Sequence, residues 1–104
     1  MKKYRIKIAA EALSDIRDIT VWYDSQRAGL GKIFKDTVIK QINDLAETPL
    51  IFTVRYKEIR CVLVKKFPYM VHFYFNQKIS TVEILAVIST DRNPKIWEEK
   101  TSRI

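Results

Sequence analysis

The spacing of the apolar residues changes at Thr48-Pro49 in this chain of 104 residues, and the change limits the folds it can adopt. From Ala12 to Leu45, apolar residues recur every three or four positions, as on one side of an α-helix. After it, they alternate loosely with polar residues in runs rich in β-branched and aromatic side chains, as in β-strands. Helices followed by a run of strands indicate an α+β fold.

Two amphipathic helices are predicted before Pro49. The first has the stripe Ala12, Ile16, Ile19, Tyr23 and is expected to end near Ala28. The second has the stripe Leu30, Phe34, Val38, Ile42, Leu45 and is expected to stop before Thr48-Pro49, because proline disfavours helical geometry in the preceding residue. Both glycines of the chain lie between the helices, at Gly29 and Gly31, and predict a tight break. The two helices should therefore form a hairpin.

Four strands are predicted around this hairpin. Tyr4 to Ala9 alternates charged and apolar residues, as a half-buried strand does. The later strands are VRYKEIRCVLVKK, KFPYMVHFYF and ISTVEILAVIST, and their short connections imply an antiparallel meander. The predicted order is β-α-α-β-β-β in a single domain, 1–104, with the helical hairpin packed on one face of an antiparallel sheet.

The stretch KFPYMVHFYF contains the only histidine, His72. Strand geometry points Tyr69, Val71, Phe73 and Phe75 into the core and places His72 on the opposite, partly solvated face. There it could act as an acid or base, or simply fill the sheet surface. Cys61 alternates with Ile59 and Leu63 and is predicted to be a small buried side chain. With one cysteine and one histidine, we expect no disulfide framework and no metal site.

The charge is unevenly distributed. Residues 11–48 hold five basic and seven acidic side chains, a net of −2, so the rest of this +7 chain holds fourteen basic and five acidic ones, a net of +9. This surplus fits either a solvated surface or a contact surface for nucleic acid or an acidic protein. The sequence shows no signal peptide and no apolar run long enough to span a membrane, so a soluble, cytoplasmic protein is expected.

Several motifs, in this order and spacing, resemble the RelE/ParE superfamily of bacterial toxins. They are AEALSDIRDITVWYDSQ, a helix end LAETPL, the pair Ile59-Arg60, FPYMVHFYF and the closing ILAVISTDRNPKIW. The resemblance implies the toxin of a type II toxin–antitoxin pair, neutralised by a cognate antitoxin in a possible hetero-oligomer. The Phe67-Pro68-Tyr69 motif and the late Arg92-Asn93-Pro94 with Trp97 are more similar to ParE and its plasmid-stabilisation relatives than to RelE.

The resemblance also bears on activity. RelE-like nucleases, which cleave messenger RNA in the ribosome, carry an arginine directly after the tyrosine that corresponds to Tyr69, where this chain has Met70. Many relatives end the last strand with a histidine, where this chain has Ser89. The missing groups favour a ParE-like inhibitor that binds DNA gyrase and is not an enzyme. The alternatives are a ribosome-dependent endoribonuclease, with catalytic candidates Arg60, His72 and Arg92, or an inactive antitoxin-binding relative.

Two sets of contact residues are predicted, with no cofactor. The target-binding set is Arg60, Lys65, Lys66, Arg92, Lys95 and Trp97. Within it, Arg60 could instead form a structural ion pair with Glu58 or Asp91, and Trp97 could instead cap the edge of the core. The antitoxin-binding set is Trp22, Arg55 and Lys57, where Trp22 lies off the core stripe and could instead pack under the C-terminus.

Overall fold

The computed structural model describes residues 3–101. The predicted domain, 1–104, includes residues 1, 2 and 102–104, which lie outside the described residues. The elements in chain order are β1 (Arg5–Ile8), α1 (Ala10–Gln26), α2 (Leu30–Asp44), β2 (Val54–Tyr56), β3 (Ile59–Leu63), β4 (Tyr69–Asn76), β5 (Thr81–Ser89) and α3 (Pro94–Lys100).

The five strands form one sheet in the order β1-β5-β4-β3-β2. The α+β class and the antiparallel meander of β3, β4 and β5 are confirmed. The prediction of a wholly antiparallel sheet is wrong, because β1 pairs with β5 in parallel, from Arg5 opposite Thr81 to Ile8 opposite Ile84. The helical hairpin carries the chain from β1 to β2 at the opposite edge of the sheet, and the meander then returns it to β5 beside β1.

The run VRYKEIRCVLVKK was predicted as one strand and is two. β2 and β3 pair in antiparallel fashion around a turn at Lys57 and Glu58, with an irregular register between Val54 and Tyr56. Lys57 has a φ of 49°, in the left-handed region that glycine or asparagine usually occupies in turns. Because neither residue type is present, the turn left no signal in the sequence.

The hairpin of α1 and α2 is confirmed, and its two glycines have different roles. Gly29 ends the break in the left-handed conformation, with a φ of 90°. Gly31 lies in the first turn of α2, where a Cβ atom would sit 2.3 Å from the carbonyl oxygen of Thr20. Its amide donates a hydrogen bond of 2.8 Å to Asp24 Oδ1. The second glycine therefore lets the two helices approach closely.

The main core lies between the hairpin and one face of the sheet. Phe34 is fully buried, and its ring contacts the rings of Tyr23, Phe67 and Tyr69 at centroid distances of 5.2–5.6 Å. The predicted core face of β4 is confirmed, since Val71 and Phe73 are buried in this cluster and Tyr69 and Phe75 pack against it.

The opposite face of the sheet is covered by α3, a helix that the sequence reading missed. Asn93 caps it by accepting a hydrogen bond of 2.9 Å from the Lys95 amide, and Pro94 occupies its first turn. Its Trp97 packs against a second core cluster of Ile59, Cys61, Met70 and Leu85. The prediction that His72 is partly solvated is therefore wrong, because its side chain is 0% exposed beneath this helix.

Candidate functional site

The chemically reactive side chains of the sheet meet in a buried cluster beneath α3. His72 Nδ1 lies 2.9 Å from the Tyr56 hydroxyl oxygen and 3.3 Å from Cys61 Sγ. Its ring is 5.1 Å from that of Trp97, centroid to centroid. The Tyr56 hydroxyl also lies 3.0 Å from Thr101 Oγ1. We call these five residues the histidine cluster: Tyr56, Cys61, His72, Trp97 and Thr101.

The hydrogen bonds assign the tautomer of His72. Thr101 Oγ1 donates its hydrogen to the Trp97 carbonyl at 2.7 Å, so it must accept one from the Tyr56 hydroxyl. That hydroxyl in turn accepts from His72, which places the imidazole proton on Nδ1. His72 Nε2 then carries a lone pair and, like Trp97 Nε1, has no hydrogen-bond partner among the described residues.

Burial sets the protonation states in this cluster. Desolvation, reinforced by the charge of Arg55, lowers the pKa of His72 from its usual 6.5 to about 4, so the ring is neutral at physiological pH. Desolvation also raises the pKa of Cys61 to about 11 and that of Tyr56 to about 12. The cluster therefore contains no cation, no thiolate and no base that a large substrate can reach.

Two electrostatic contacts close α3 onto the rest of the molecule. Lys100 Nζ lies 2.6 Å from Asp15 Oδ1 and 2.9 Å from Glu11 Oε2, both on α1. The other oxygen of Asp15 accepts the Val87 amide at 2.9 Å, on the part of β5 that extends beyond β1. Burial raises the pKa of Asp15 even though Lys100 and the amide act to lower it. The C-terminal helix, α1 and the open edge of β5 are thus joined through one carboxylate.

Three of the predicted target-binding residues lie at one end of the sheet. Lys65 and Lys66 form the turn between β3 and β4, and Arg92 follows β5. The Thr90 amide donates a hydrogen bond of 3.0 Å to the Pro68 carbonyl, which ties these two segments together. All three cationic side chains are exposed, and Lys66 has a φ of 70°. We call Lys65, Lys66 and Arg92 the sheet-tip cluster.

The other predicted target-binding residues lie elsewhere. Arg60 lies on the hairpin face of β3, opposite Phe73, and its guanidinium donates to the Phe52 carbonyl at 2.5 Å rather than to Glu58 or Asp91. Lys95 is exposed on α3, whereas Trp97 packs against the second core cluster. The structure therefore does not bring the catalytic candidates Arg60, His72 and Arg92 together.

The predicted antitoxin-binding residues are also divided. Trp22 is 53% exposed at the end of α1 on the hairpin side, with its ring against that of Tyr23. Arg55 borders a groove with Lys95 of α3 on the other face, and Lys57 Nζ lies 3.8 Å from Glu98 of that helix. The sheet separates Trp22 from the other two residues, so a partner that contacts all three must extend around the molecule.

The sequence reading missed an apolar groove on the outer side of the hairpin. It has a volume of about 350 Å³ and is lined by Leu13, Ile16, Arg17, Thr20, Val21, Lys35 and Ile39. Leu13 and Val21 are 51% and 63% exposed although both are aliphatic. The spacing Leu13, Arg17, Val21 runs along the outer side of α1, and this off-core stripe is the signal that could have revealed the groove.

Within residues 3–101, no cluster of three or more histidine, cysteine or acidic side chains could hold a metal ion. The helices of the same range are too short or too polar to cross a bilayer.

The fold is that of known toxins. Over 84% of this chain and 96% of the other, the structure matches a protein from the chromosomal ParDE system of P. aeruginosa, with a TM-score of 0.73 and 14% identity. A double arginine-to-alanine mutant of the E. coli toxin RelE in the free state matches with a TM-score of 0.73, 15% identity and 98% coverage of both chains. The intact E. coli RelBE toxin-antitoxin complex matches with a TM-score of 0.66 and 16% identity, over 86% of this chain and 99% of the other.

These likenesses define the RelE/ParE class of type II toxin folds. Within that class, the sequence model of the ParE toxin of the type II toxin-antitoxin system parDE matches residues 6–94, and the chain belongs to this family. No curated protein sequence matches the chain.

Proposed function

We infer that this toxin arrests growth by binding DNA gyrase in the cytoplasm and not by cleaving RNA. The observation that carries this proposal is the covered α3 face. Met70, at the position where RelE-like nucleases carry an arginine, is 8% exposed and packs with Ile59, Cys61 and Leu85. RNA cleavage by a 2′-hydroxyl requires a base, an acid and cations at the reacting phosphate. Here that face presents apolar side chains and a neutral, buried histidine.

The surface we propose for the target is the sheet-tip cluster. Its three cationic side chains are exposed at the end of a rigid sheet, in loops of the kind that commonly carry binding residues. Gyrase is a large protein that holds DNA, and a basic patch speeds association with such an anionic complex.

A supercoiling assay with purified gyrase tests the proposal. Added toxin should inhibit supercoiling or trap cleaved DNA, and normal supercoiling at a large excess of toxin would contradict it. Primer extension on translated messages after induction provides the comparison. Cuts within codons would support the ribosome-dependent nuclease instead, which the basic surface also suits. Normal growth during overexpression would indicate an inactive relative.

Two lysines with left-handed backbone conformation provide a test variant and its matched control for the sheet-tip cluster. Lys66→Gly removes a charge from that cluster, and Lys57→Gly makes the same change in the turn between β2 and β3. Glycine suits both φ values, so neither substitution should harm folding. We expect Lys66→Gly to weaken gyrase inhibition about fivefold and Lys57→Gly to leave it unchanged. Equal effects of the two substitutions would mean that the sheet-tip cluster does not contact gyrase.

We also propose that an antitoxin neutralises the chain through the hairpin groove. The groove presents Leu13 and Val21 to solvent, and its lining also contains the cationic residues Arg17 and Lys35. Its shape and charge fit an amphipathic helix with apolar residues on one side and acidic residues beside them. Trp22 follows Val21 and is half exposed but does not line the groove, and Arg55 and Lys57 lie on the other face of the sheet.

Calorimetry with the protein encoded by the adjacent reading frame tests this surface. Leu13→Glu with Val21→Glu should lower the affinity at least about a hundredfold, because it places charge in an apolar contact. Ile79→Glu is the control, since Ile79 is 57% exposed in the connection between β4 and β5 and does not line this groove. An unchanged affinity in the double variant would contradict the placement.

A further inference from the structure

The exposed cations of this protein differ in how they are paired. On the hairpin, Lys32 and Lys40 form ion pairs with acidic residues one turn later in α2, at 2.7 and 3.3 Å. Five exposed cations at the sheet tip and beside α3 form no ion pair with another of residues 3–101. We call these five residues the cationic track: Arg55, Lys65, Lys66, Arg92 and Lys95.

The track is continuous over the surface. The sheet-tip cluster forms one end, where a backbone hydrogen bond joins the end of β5 to the turn between β3 and β4. Arg92, the last member of that cluster, is followed by Lys95 in the first turn of α3. Lys95 and Arg55 then line the same groove, which has a volume of about 500 Å³. The track therefore runs from the sheet tip over the start of α3 to β2.

Acidic side chains offset only part of this charge. The segments that carry the track are residues 54–68, with five basic and one acidic side chain, and residues 90–101, with three of each. Their sum is eight basic and four acidic side chains, a net of +4, whereas residues 11–48 have a net of −2. One of the four acidic residues, Glu98, lies 3.8 Å from Lys57, which is outside the track. The surface should therefore attract a polyanion.

The aromatic side chains beside the track indicate which polyanion fits. Trp97 packs against the second core cluster with a buried Nε1, and the Tyr56 hydroxyl bonds to the histidine cluster. Among residues 3–101, the only aromatic side chain more than half exposed is that of Trp22, on the hairpin. Single-stranded nucleic acids are commonly bound by stacking their bases on exposed aromatic rings. Cations without such rings instead suit the phosphates of a duplex.

We propose that the cationic track binds the phosphate backbone of duplex DNA. The inference rests on the proposed binding of gyrase, because the DNA that gyrase holds then becomes a second contact of the toxin. Each side chain of the track neutralises one phosphate and releases the counterions condensed there. Phosphate contacts position a protein without reading the bases, so the binding should be independent of sequence.

Fluorescence anisotropy with the toxin alone and a labelled DNA duplex of about 20 base pairs tests the proposal. Five phosphate contacts predict that log K falls with the logarithm of the salt concentration at a slope of about −4.5. For a purely electrostatic contact, whose affinity vanishes near 1 M salt, this slope gives a Kd of about 1 µM at about 0.05 M salt.

Single substitutions locate the contact. Arg55→Gln and Lys95→Gln should each make the slope shallower by about 0.9 and weaken binding about fifteenfold at about 0.05 M salt. Lys32→Gln is the matched control, because it removes the same charge from the exposed surface of the hairpin and should leave the slope unchanged. All three side chains are exposed, so circular dichroism should show the parent fold in each variant.

Three outcomes would overturn the proposal. The first is the absence of DNA binding at about 0.05 M salt. The second is an equal change of slope in Lys32→Gln and the two track variants, which would mean that net charge alone attracts the DNA. The third is tighter binding of a single-stranded RNA of the same length, which would assign the track to RNA.

The supercoiling assay keeps this inference distinct from the proposed function. DNA binding with the predicted slope but without inhibition of gyrase would leave the DNA site standing and contradict the proposed target. Inhibition of gyrase without DNA binding by the toxin would contradict the DNA site and leave the target standing.

Discussion

The two faces of the sheet are buried in different ways. The hairpin face is covered by α1 and α2, whose buried side chains are apolar and include Phe34, Val38 and Ile42, each 0% exposed. The other face is covered by the seven residues of α3 and holds the histidine cluster. Apolar burial is non-directional, whereas buried polar groups depend on specific hydrogen bonds and on pH. The hairpin face should therefore set the stability of the fold, and the α3 face its sensitivity to conditions.

The largest expected effect tests the hairpin face. Phe34→Ala removes a fully buried ring from a cluster of four aromatic side chains and should cost about 3–5 kcal/mol of unfolding free energy. Urea denaturation followed by circular dichroism measures this loss. A loss of unfolding free energy as small as that expected for an exposed residue would mean that the hairpin face does not set the stability of the fold.

The next effect tests the pH sensitivity of the α3 face. Because the pKa of His72 is about 4 in the folded state and 6.5 when unfolded, the unfolded chain binds the extra proton first as the pH falls. The contribution of neutral His72 to the free energy of unfolding is fully present above pH 6.5. It is lost progressively toward pH 4, by about 3 kcal/mol in total.

Urea denaturation between pH 7 and pH 4 should show this slope in the parent and not in His72→Phe. The raised pKa of Asp15 acts in the opposite direction, since the folded state then holds its proton more tightly. Both proteins retain Asp15, so the difference between their slopes isolates His72. Parallel slopes would contradict the assignment.

A smaller effect tests the attachment of α3. Lys100→Ala removes the ion pairs with Asp15 and Glu11 and leaves a mostly buried carboxylate with one amide donor, at a cost of about 1–2 kcal/mol. Hydrogen exchange should show faster opening of α3 than of the hairpin. Lys32→Ala is the matched control, because its ion pair with Asp36 has a similar length, 2.7 Å, but is solvated. It should change neither the stability nor the exchange.

The sequence predicted the hairpin face well and the α3 face poorly. The spacing Leu30, Phe34, Val38, Ile42 places α2 correctly because each helix buries a continuous stripe. The position of His72 depends on a helix whose signals, Asn93 as cap and Pro94 in the first turn, are only two residues long. The groups that meet there come from β2, β3, β4 and α3, and no local pattern predicts their contact.

The positions of the candidate binding residues were also predicted only in part. Lys65, Lys66 and Arg92 could be grouped from the sequence, because each follows or precedes a strand end on the same side of the meander. The sequence placed Trp22 on the hairpin and Arg55 and Lys57 at the edge of the sheet, but it did not reveal that the latter two lie beside α3 on the other face. The Gln41 side chain bonds to the Leu63 carbonyl and the Lys65 amide beyond the end of the β2–β3 pairing, and the unmarked turn at Lys57 concealed where that pairing ends.

The parallel pairing of β1 with β5 also determines when the sheet can be completed during synthesis. Ile8 cannot pair until Ile84 has been added, 76 residues later, which at about 5–20 residues per second takes several seconds on the ribosome. The hairpin needs only residues 10–44 and contains mostly local contacts, which form quickly. The groove proposed for the antitoxin is lined only by residues between Leu13 and Ile39, so all of it has been synthesised before the sheet can be completed.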